Sequence, residues 1–209
     1  MTADEVRALA DGLAQAYARE RDVLAQLDAA TGDGDHGAGM ARGFDRARAA
    51  TAEIDGDDVG AVLTAAGRGV MSGVGGASGA LFASLFLALG AAAAGATTLE
   101  TEHVVAGCAD ALSRIARLGR AEIGDKTMLD ALAPALDALR AHADDALADA
   151  LAAAALAARE GAVATVAMCA RHGRARYAPE AGVGHVDPGA VSMAILFETW
   201  HDVARGGAA

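Results

Sequence analysis

Aromatic side chains are nearly missing from this chain: four Phe, two Tyr and one Trp make up 3% of 209 residues. With hydrophobic residues at 54%, the core is expected to be built from Ala, Leu and Val, the composition of closely packed helices. No stretch alternates apolar and polar residues convincingly, so no strand is expected. Cysteine is equally sparse. Cys108 and Cys169 lie far apart and belong to no CxxC or Cys/His pattern, which excludes a disulfide framework or a zinc site; both are expected as buried, reduced thiols. Positive charge is also in deficit, with 17 Lys and Arg against 28 Asp and Glu. The net charge of −11 excludes general affinity for nucleic acid or for an anionic membrane surface, and a phosphate ligand would need a bridging cation. The charged start, Met1 to Arg7, has no apolar h-region, so no secretory signal is expected and the cytoplasm is the expected location. The uncharged stretch 79–96 loses its bulky residues after Leu89 and reads as a buried core helix, not a membrane span.

Apolar residues at helical spacing recur almost throughout, punctuated by Gly, Asp and Pro. The expectation is an all-α single domain over residues 1–209, with helical segments at about 3–28, 36–51, 57–73, 78–92, 99–118, 126–142, 145–172 and 187–205. Short connections favour antiparallel neighbours.

The densest chemistry lies in Asp28-Ala-Ala-Thr-Gly-Asp-Gly-Asp-His-Gly37, where three carboxylates and a histidine accompany three glycines. Asp33 and Asp35 are two apart, so in an extended loop they point the same way, and Asp28 can reach them from the preceding helix. Clustered carboxylates repel one another unless a cation joins them. An all-oxygen ligand set suits magnesium or calcium rather than zinc. Locally, the same composition also describes a solvated acidic turn. Two other motifs fail. Gly32-x-Gly34-x-x-Gly37 has the dinucleotide spacing but follows the helical run 23–30 and not a strand. Read as an EF-hand starting at Asp33, the loop has Ala38 at its sixth position and Phe44 at its twelfth, where Gly and a bidentate Glu are required.

Three helix starts follow glycine-bearing loops: after Gly37, after Gly73-Val-Gly-Gly-Ala-Ser-Gly79, and after His185-Val-Asp-Pro-Gly189. Free N–H groups and the macrodipole make helix N-termini natural phosphate sites, although Asp187-Pro188 is equally an ordinary N-cap with proline at N1. The run Gly119 to Asp130 is not a Walker A loop, because Asp125 separates Gly124 from Lys126. His36 adjoins the carboxylates. His103, His142, His172 and His201 are expected in helices without evident partners.

Gly32-Asp-Gly-Asp-His-Gly37, Gly75-Gly-Ala-Ser-Gly79, Gly124-Asp-Lys-Thr-Met-Leu-Asp130, Gly173-Arg-Ala175 and Gly184-His-Val-Asp-Pro-Gly-Ala190 resemble, in order, the blocks of the dihydroxyacetone kinase L subunit family, DhaL. The resemblance implies a closed barrel of eight antiparallel amphipathic helices with ADP or ATP at one rim, held through two magnesium ions. By position it makes Asp28, Asp33 and Asp35 the metal ligands. His36, Gly37, Ala38 and Gly39, with Ala77 and Ser78, match the phosphate-loop positions; Gly119, Met128, Arg174, Asp187, Pro188 and Gly189 match the remaining nucleotide contacts. The implied chemistry is phosphoryl transfer by positioning and charge neutralisation. The implied partner is a K subunit that holds dihydroxyacetone. In the phosphotransferase-system-dependent form, a phosphohistidine M subunit recharges resident ADP. Two other readings accompany this one: the L subunit of a two-chain kinase using exchangeable ATP on a triose or tetrose, and a module reporting nucleotide state to a transcriptional regulator. A fused ATP-dependent kinase is disfavoured by length, and a fatty-acid kinase nucleotide domain by His36 in its GDGDHG setting. The chain departs from the family at Gly39, where Asn is common, at Arg176, where a small polar residue is usual, and at Ala178-Pro-Glu-Ala-Gly182, which replaces a more polar loop.

Overall fold

The computed structural model describes residues 1–206; the last three residues of the expected 1–209 domain lie outside the described residues. Nine α-helices are present among them, and no strand, with one isolated bridge between Thr2 and Thr98. They are α1 (Ala3–Arg19), α2 (Arg21–Ala29), α3 (His36–Ala52), α4 (Val59–Val74), α5 (Gly76–Ala92), α6 (Thr101–Gly119), α7 (Leu129–Ala141), α8 (Leu147–Ala164) and α9 (Pro188–Ala204). From α3 to α9 each helix packs on the next, and α1 packs on both α3 and α9. Those eight helices thereby form a closed ring of contacts, with α2 laid against α3 and α9.

Nine helices replace the expected eight because the first segment breaks at Glu20, where φ −86° and ψ 2° let α2 turn towards α3. The segment expected at 145–172 ends at Ala164. There the Thr165 hydroxyl donates to the Ala162 carbonyl at 2.6 Å, and the Thr165 carbonyl accepts from the Lys126 ammonium, so the helical ladder gives way to a 3-10 turn. The 165–187 stretch then runs as short 3-10 turns and loops. Likewise α7 starts at Leu129 instead of 126, because Lys126 takes a left-handed φ of +62° and the Asp130 carboxylate accepts from the Gly124 and Thr127 N–H groups.

Glycine explains how helices come so close. Across the antiparallel α3–α4 seam, a Cβ at Gly69 would stand 2.5 Å from Ala47 Cα, and one at Gly73 would stand 2.7 Å from Gly43 Cα. Across α4–α5, a Cβ at Gly60 would stand 2.6 Å from the Gly90 carbonyl oxygen. Backbone meets backbone at these points, where no larger residue fits. Ala, Leu and Val fill most of the core as expected, but the scarce aromatics are concentrated there too: Tyr17, Phe44, Phe82, Phe86, Phe197 and Trp200 are all buried. Tyr17 stacks on Phe44 at 4.3 Å between ring centroids, and its hydroxyl donates to the Ser192 carbonyl at 2.8 Å.

The uncharged stretch 79–96 forms most of the core helix α5, as its composition indicates. Among the described residues one stretch, Leu147–Ala167, which is α8 with the 3-10 turn that follows it, has the length and composition of a membrane span; α8 packs against α7 and α9. Cys108 is buried, and burial pushes its thiol up to about 12. Cys169 is exposed, contrary to expectation, because it lies in the irregular segment after α8.

Candidate functional site: a carboxylate cluster beside a large cavity

The loop after α2 folds back on the carboxylate that precedes it. The Thr31 and Gly32 N–H groups both donate to the Asp28 carbonyl, and a Cβ at Gly32 would collide with Asp28 Oδ1 at 2.4 Å. Gly34 at φ +77° then reverses the chain. The result brings one carboxylate oxygen from each of Asp28, Asp33 and Asp35 within 4.8 Å of one another. Asp28 Oδ2 also accepts the His36 N–H at 3.1 Å, tying the cluster to the start of α3. Asp35 occupies the N-cap of α3 without bonding its side chain to the helix, which leaves its carboxylate for a cation.

Next to the cluster opens a cavity of about 700 Å³. Asp28, Asp35, His36 and Gly39 line it from α2 and α3; Gly75, Gly76, Ala77 and Ser78 line it from the α4–α5 junction. Gly75 and Gly76 both have left-handed φ, +79° and +57°, and no side chain caps the first N–H groups of α5. Leu81, Phe82, Ile115 and Met128 supply an apolar wall, with Gly119 at the end of α6. Asp187, Pro188 and Gly189, at the start of α9, complete the lining together with Arg174.

Three expected site residues stand off the cavity wall. Asp33 contributes to the carboxylate cluster only. Gly37 faces α2, where a Cβ would meet the Arg21 carbonyl at 2.0 Å, and Ala38 is half-buried beside it. Gly39 has a packing role besides its place in the wall: a Cβ there would stand 2.9 Å from the Val74 carbonyl, immediately before the Gly75–Ser78 loop.

Several side chains that hold the site together went unnoticed in the sequence. Lys126 is buried, and its ammonium donates to the carbonyls of Thr165 and His185, pinning the end of α8 to the loop before α9. Burial lowers its pKa, with the Asp187 carboxylate pulling the other way. The Asp187 N–H donates to Thr165 Oγ1 at 2.9 Å, closing the same junction. His172, expected in a helix without a partner, lies in a loop with Nε2 3.1 Å from Asp125 Oδ2, and it lines the cavity. The signal for this framework was the Gly124 to Asp130 block: a lysine flanked by two aspartates in a glycine turn, with the left-handed backbone that buries it invisible.

Arg174 reaches across the cavity to the carboxylates, bonding Asp33 and standing 3.7 Å from Asp35. His36 Nε2 is 2.8 Å from Ser192 Oγ. Burial lowers the His36 pKa, opposed by the Asp28 and Asp35 carboxylates and by a backbone bond to Pro188.

Asp187 retains some exposed surface, yet its carboxyl is desolvated enough to raise its pKa from 3.8 to about 7; the Ala190 N–H, donating at 2.7 Å, and Lys126 act against that rise. A raised carboxyl pKa favours folding most below the unfolded value, and that advantage disappears as pH climbs through the folded value. Urea unfolding of the metal-free protein is therefore expected to show wild type losing more stability between about pH 5 and about pH 8 than Asp187→Asn does. Parallel pH curves would refute this.

Residues 30–202 match the DAK2 domain. The chain is 37% identical to the ADP-binding subunit DhaL of PEP-dependent dihydroxyacetone kinase 1 from Listeria innocua, over 85% of this chain and 84% of that one. Against the corresponding DhaL subunit of Escherichia coli it is 36% identical, over 87% and 88%. It is 41% identical to the D-erythrulose kinase of Mycolicibacterium smegmatis over 92% of its own length but spans only 34% of that enzyme. The crystal structure of the dihydroxyacetone kinase from C. freundii in complex with AMP-PNP and Mg2+ superposes with a TM-score of 0.70 at 27% identity, covering 96% of this chain and 33% of that one. Five sequence blocks converge on one cavity, and the match runs through nearly all of the ring that builds it; the chain belongs to the DAK2 domain family, with the DhaL subunits among its members.

Proposed function

We propose that this chain is the nucleotide-binding, phosphoryl-transferring subunit of a phosphotransferase-system-dependent dihydroxyacetone kinase, working with a separate K subunit that carries the triose. The observation that carries the reading is the juxtaposition of three carboxylates within 4.8 Å with two glycine-preceded helix starts on a cavity of about 700 Å³. That volume and its apolar wall suit a nucleotide base, while the N-termini of α3 and α5 suit its phosphates. Asp28, Asp33 and Asp35 would hold magnesium, whose charge would neutralise the cluster and supply the electrostatic attraction that a phosphate ligand needs on this acidic chain. The chain's own part is positioning. N–H groups at the start of α5 and the Ser78 hydroxyl orient the phosphates, Arg174 supplies a guanidinium from across the cavity, and Asp187-Pro-Gly189 closes the nucleotide side. Nothing here requires a covalent intermediate on this chain. A phosphohistidine M subunit as phosphate source and a cytoplasmic location accord with this reading.

A second reading rests on the 41% identity to D-erythrulose kinase: the chain would serve a kinase that uses exchangeable ATP on a tetrose or triose. The two differ in nucleotide release. Resident ADP is expected to co-purify stoichiometrically, survive dialysis with magnesium, and become ATP on addition of phosphorylated M subunit. Steady multiple turnover of dihydroxyacetone with K subunit and free ATP alone would decide for the second reading.

A further inference from the structure

Four lysine and arginine side chains line the cavity: Arg42, Lys126, Arg174 and Arg176. Three have partners in the metal-free site. Lys126 is held by the Thr165 and His185 carbonyls, Arg174 pairs with Asp33 and Asp35, and Arg176 lies over the Tyr177 ring, 4.5 Å from its centroid, while bonding the Tyr177 hydroxyl. Arg42 makes no ion pair or side-chain hydrogen bond with any described residue, and it is exposed at the cavity's edge.

Its place on α3 gives that freedom a direction. Asp35, Gly39 and Arg42 fall at i, i+4 and i+7, so they share one helix face. Side chains on an α-helix lean towards its N-terminus. The long Arg42 side chain is thereby inclined towards the first turn of α3, and it lines the cavity together with Asp35 and the Gly75–Ser78 loop. A nucleoside diphosphate already meets N–H groups and the carboxylate-held cation there. A third phosphate extends outwards and brings further negative charge to the edge, where Arg42 stands without a partner even before any ligand arrives.

We infer that Arg42 binds the terminal, transferable phosphoryl group of the nucleotide, so that it separates the triphosphate from the diphosphate state of the site. The inference rests on the nucleotide reading above. A planar guanidinium donates two parallel hydrogen bonds to phosphate oxygens, and during transfer negative charge spreads over those same oxygens, so the contact would persist into the transition state.

The test is calorimetric titration of wild type, Arg42→Ala and Arg42→Lys with Mg·ADP and with Mg·AMP-PNP. Arg42→Ala is expected to weaken AMP-PNP by about 10- to 100-fold, while ADP stays within about twofold; Arg42→Lys, with the charge but not the fork, should fall between. Equal losses for both nucleotides, or an unchanged AMP-PNP affinity, would overturn the assignment. Because Arg42 is exposed, the ligand-free melting temperature should not move. If Arg42→Ala melts early, Arg42→Lys carries the test, with selective loss of AMP-PNP supporting the inference and parallel behaviour overturning it. Wild type that binds neither nucleotide would instead defeat the nucleotide reading itself.

Discussion

Asparagine at Asp28, Asp33 or Asp35 is expected to weaken magnesium-dependent ADP binding by about a hundredfold or more, since groups that merely support metal ligands already contribute about 10- to 100-fold. Each substitution keeps the side chain's size and removes one negative charge from a cluster whose oxygens lie within 4.8 Å of one another. Titration calorimetry with and without EDTA reads the effect, and unchanged ADP affinity in all three single variants would refute the metal assignment. The ligand-free protein should respond quite differently. Repulsion within the cluster alone would make Asn stabilising, but the Arg174 guanidinium already lies on Asp33 and near Asp35. Exposed pairs of this kind contribute about 0–1 kcal/mol, so relieved repulsion and lost pairing should nearly cancel at these two positions. Asp28→Asn keeps an oxygen that can accept the His36 N–H, so α3 should still start in the same place. Binding is lost while folding persists, which distinguishes a ligand from a structural residue.

Gly69→Ala is expected to be strongly destabilising, costing about 1–3 kcal/mol or more of stability. Its Cβ would meet Ala47 Cα at 2.5 Å, Ala47 N at 2.6 Å and the Arg46 carbonyl at 2.6 Å, all backbone atoms that no rotamer change can move. The ordinary advantage of Ala over Gly inside a helix, up to about 1 kcal/mol, cannot offset that overlap. Gly119→Ala provides the contrast, because its Cβ would find only Ala121 Cβ at 3.8 Å and Leu81 Cδ2 at 3.9 Å, ordinary contact distances. It should leave stability unchanged or slightly raised. Urea denaturation of both variants checks the pair, and equal midpoints would show that the α3–α4 seam tolerates separation. Nucleotide affinity should fall with Gly69→Ala as well, since the same seam sets the first turn of α3 against the end of α4.

Much of the architecture is readable from helical periodicity and glycine punctuation, which give the all-α class and most helix limits to within a few residues. The same patterns could not show the break at Glu20: the residue is an ordinary helix former, and α2 turns there to pack on α3 and on α9, which lies at the far end of the chain. Nor could they show that α8 stops at Ala164, because its end depends on the Lys126 ammonium, 39 residues away along the chain. The acidic loop was legible because its chemistry is local, three carboxylates in eight residues. Its neighbours were not, because His172 meets Asp125 across 47 positions and Arg42 joins the cavity through the direction of a helix. Glycine carries two messages that composition merges. At Gly34, Gly75 and Gly76 it permits a left-handed turn, whereas at Gly43, Gly69 and Gly73 it permits contact between helices.

The position of Arg174 makes the site its own counter-ion store. Magnesium arriving at Asp33 and Asp35, as proposed, would have to compete with a tethered guanidinium, and part of its intrinsic affinity would be lost in displacing that group. Once displaced, the guanidinium would be free beside an anionic ligand approaching the same cavity. Metal and nucleotide would then strengthen one another by the same factor, whichever binds first, because each would stabilise the arrangement that the other requires. On that proposal, exchange of one cation for another, and not the filling of an unbalanced negative hole, would govern loading.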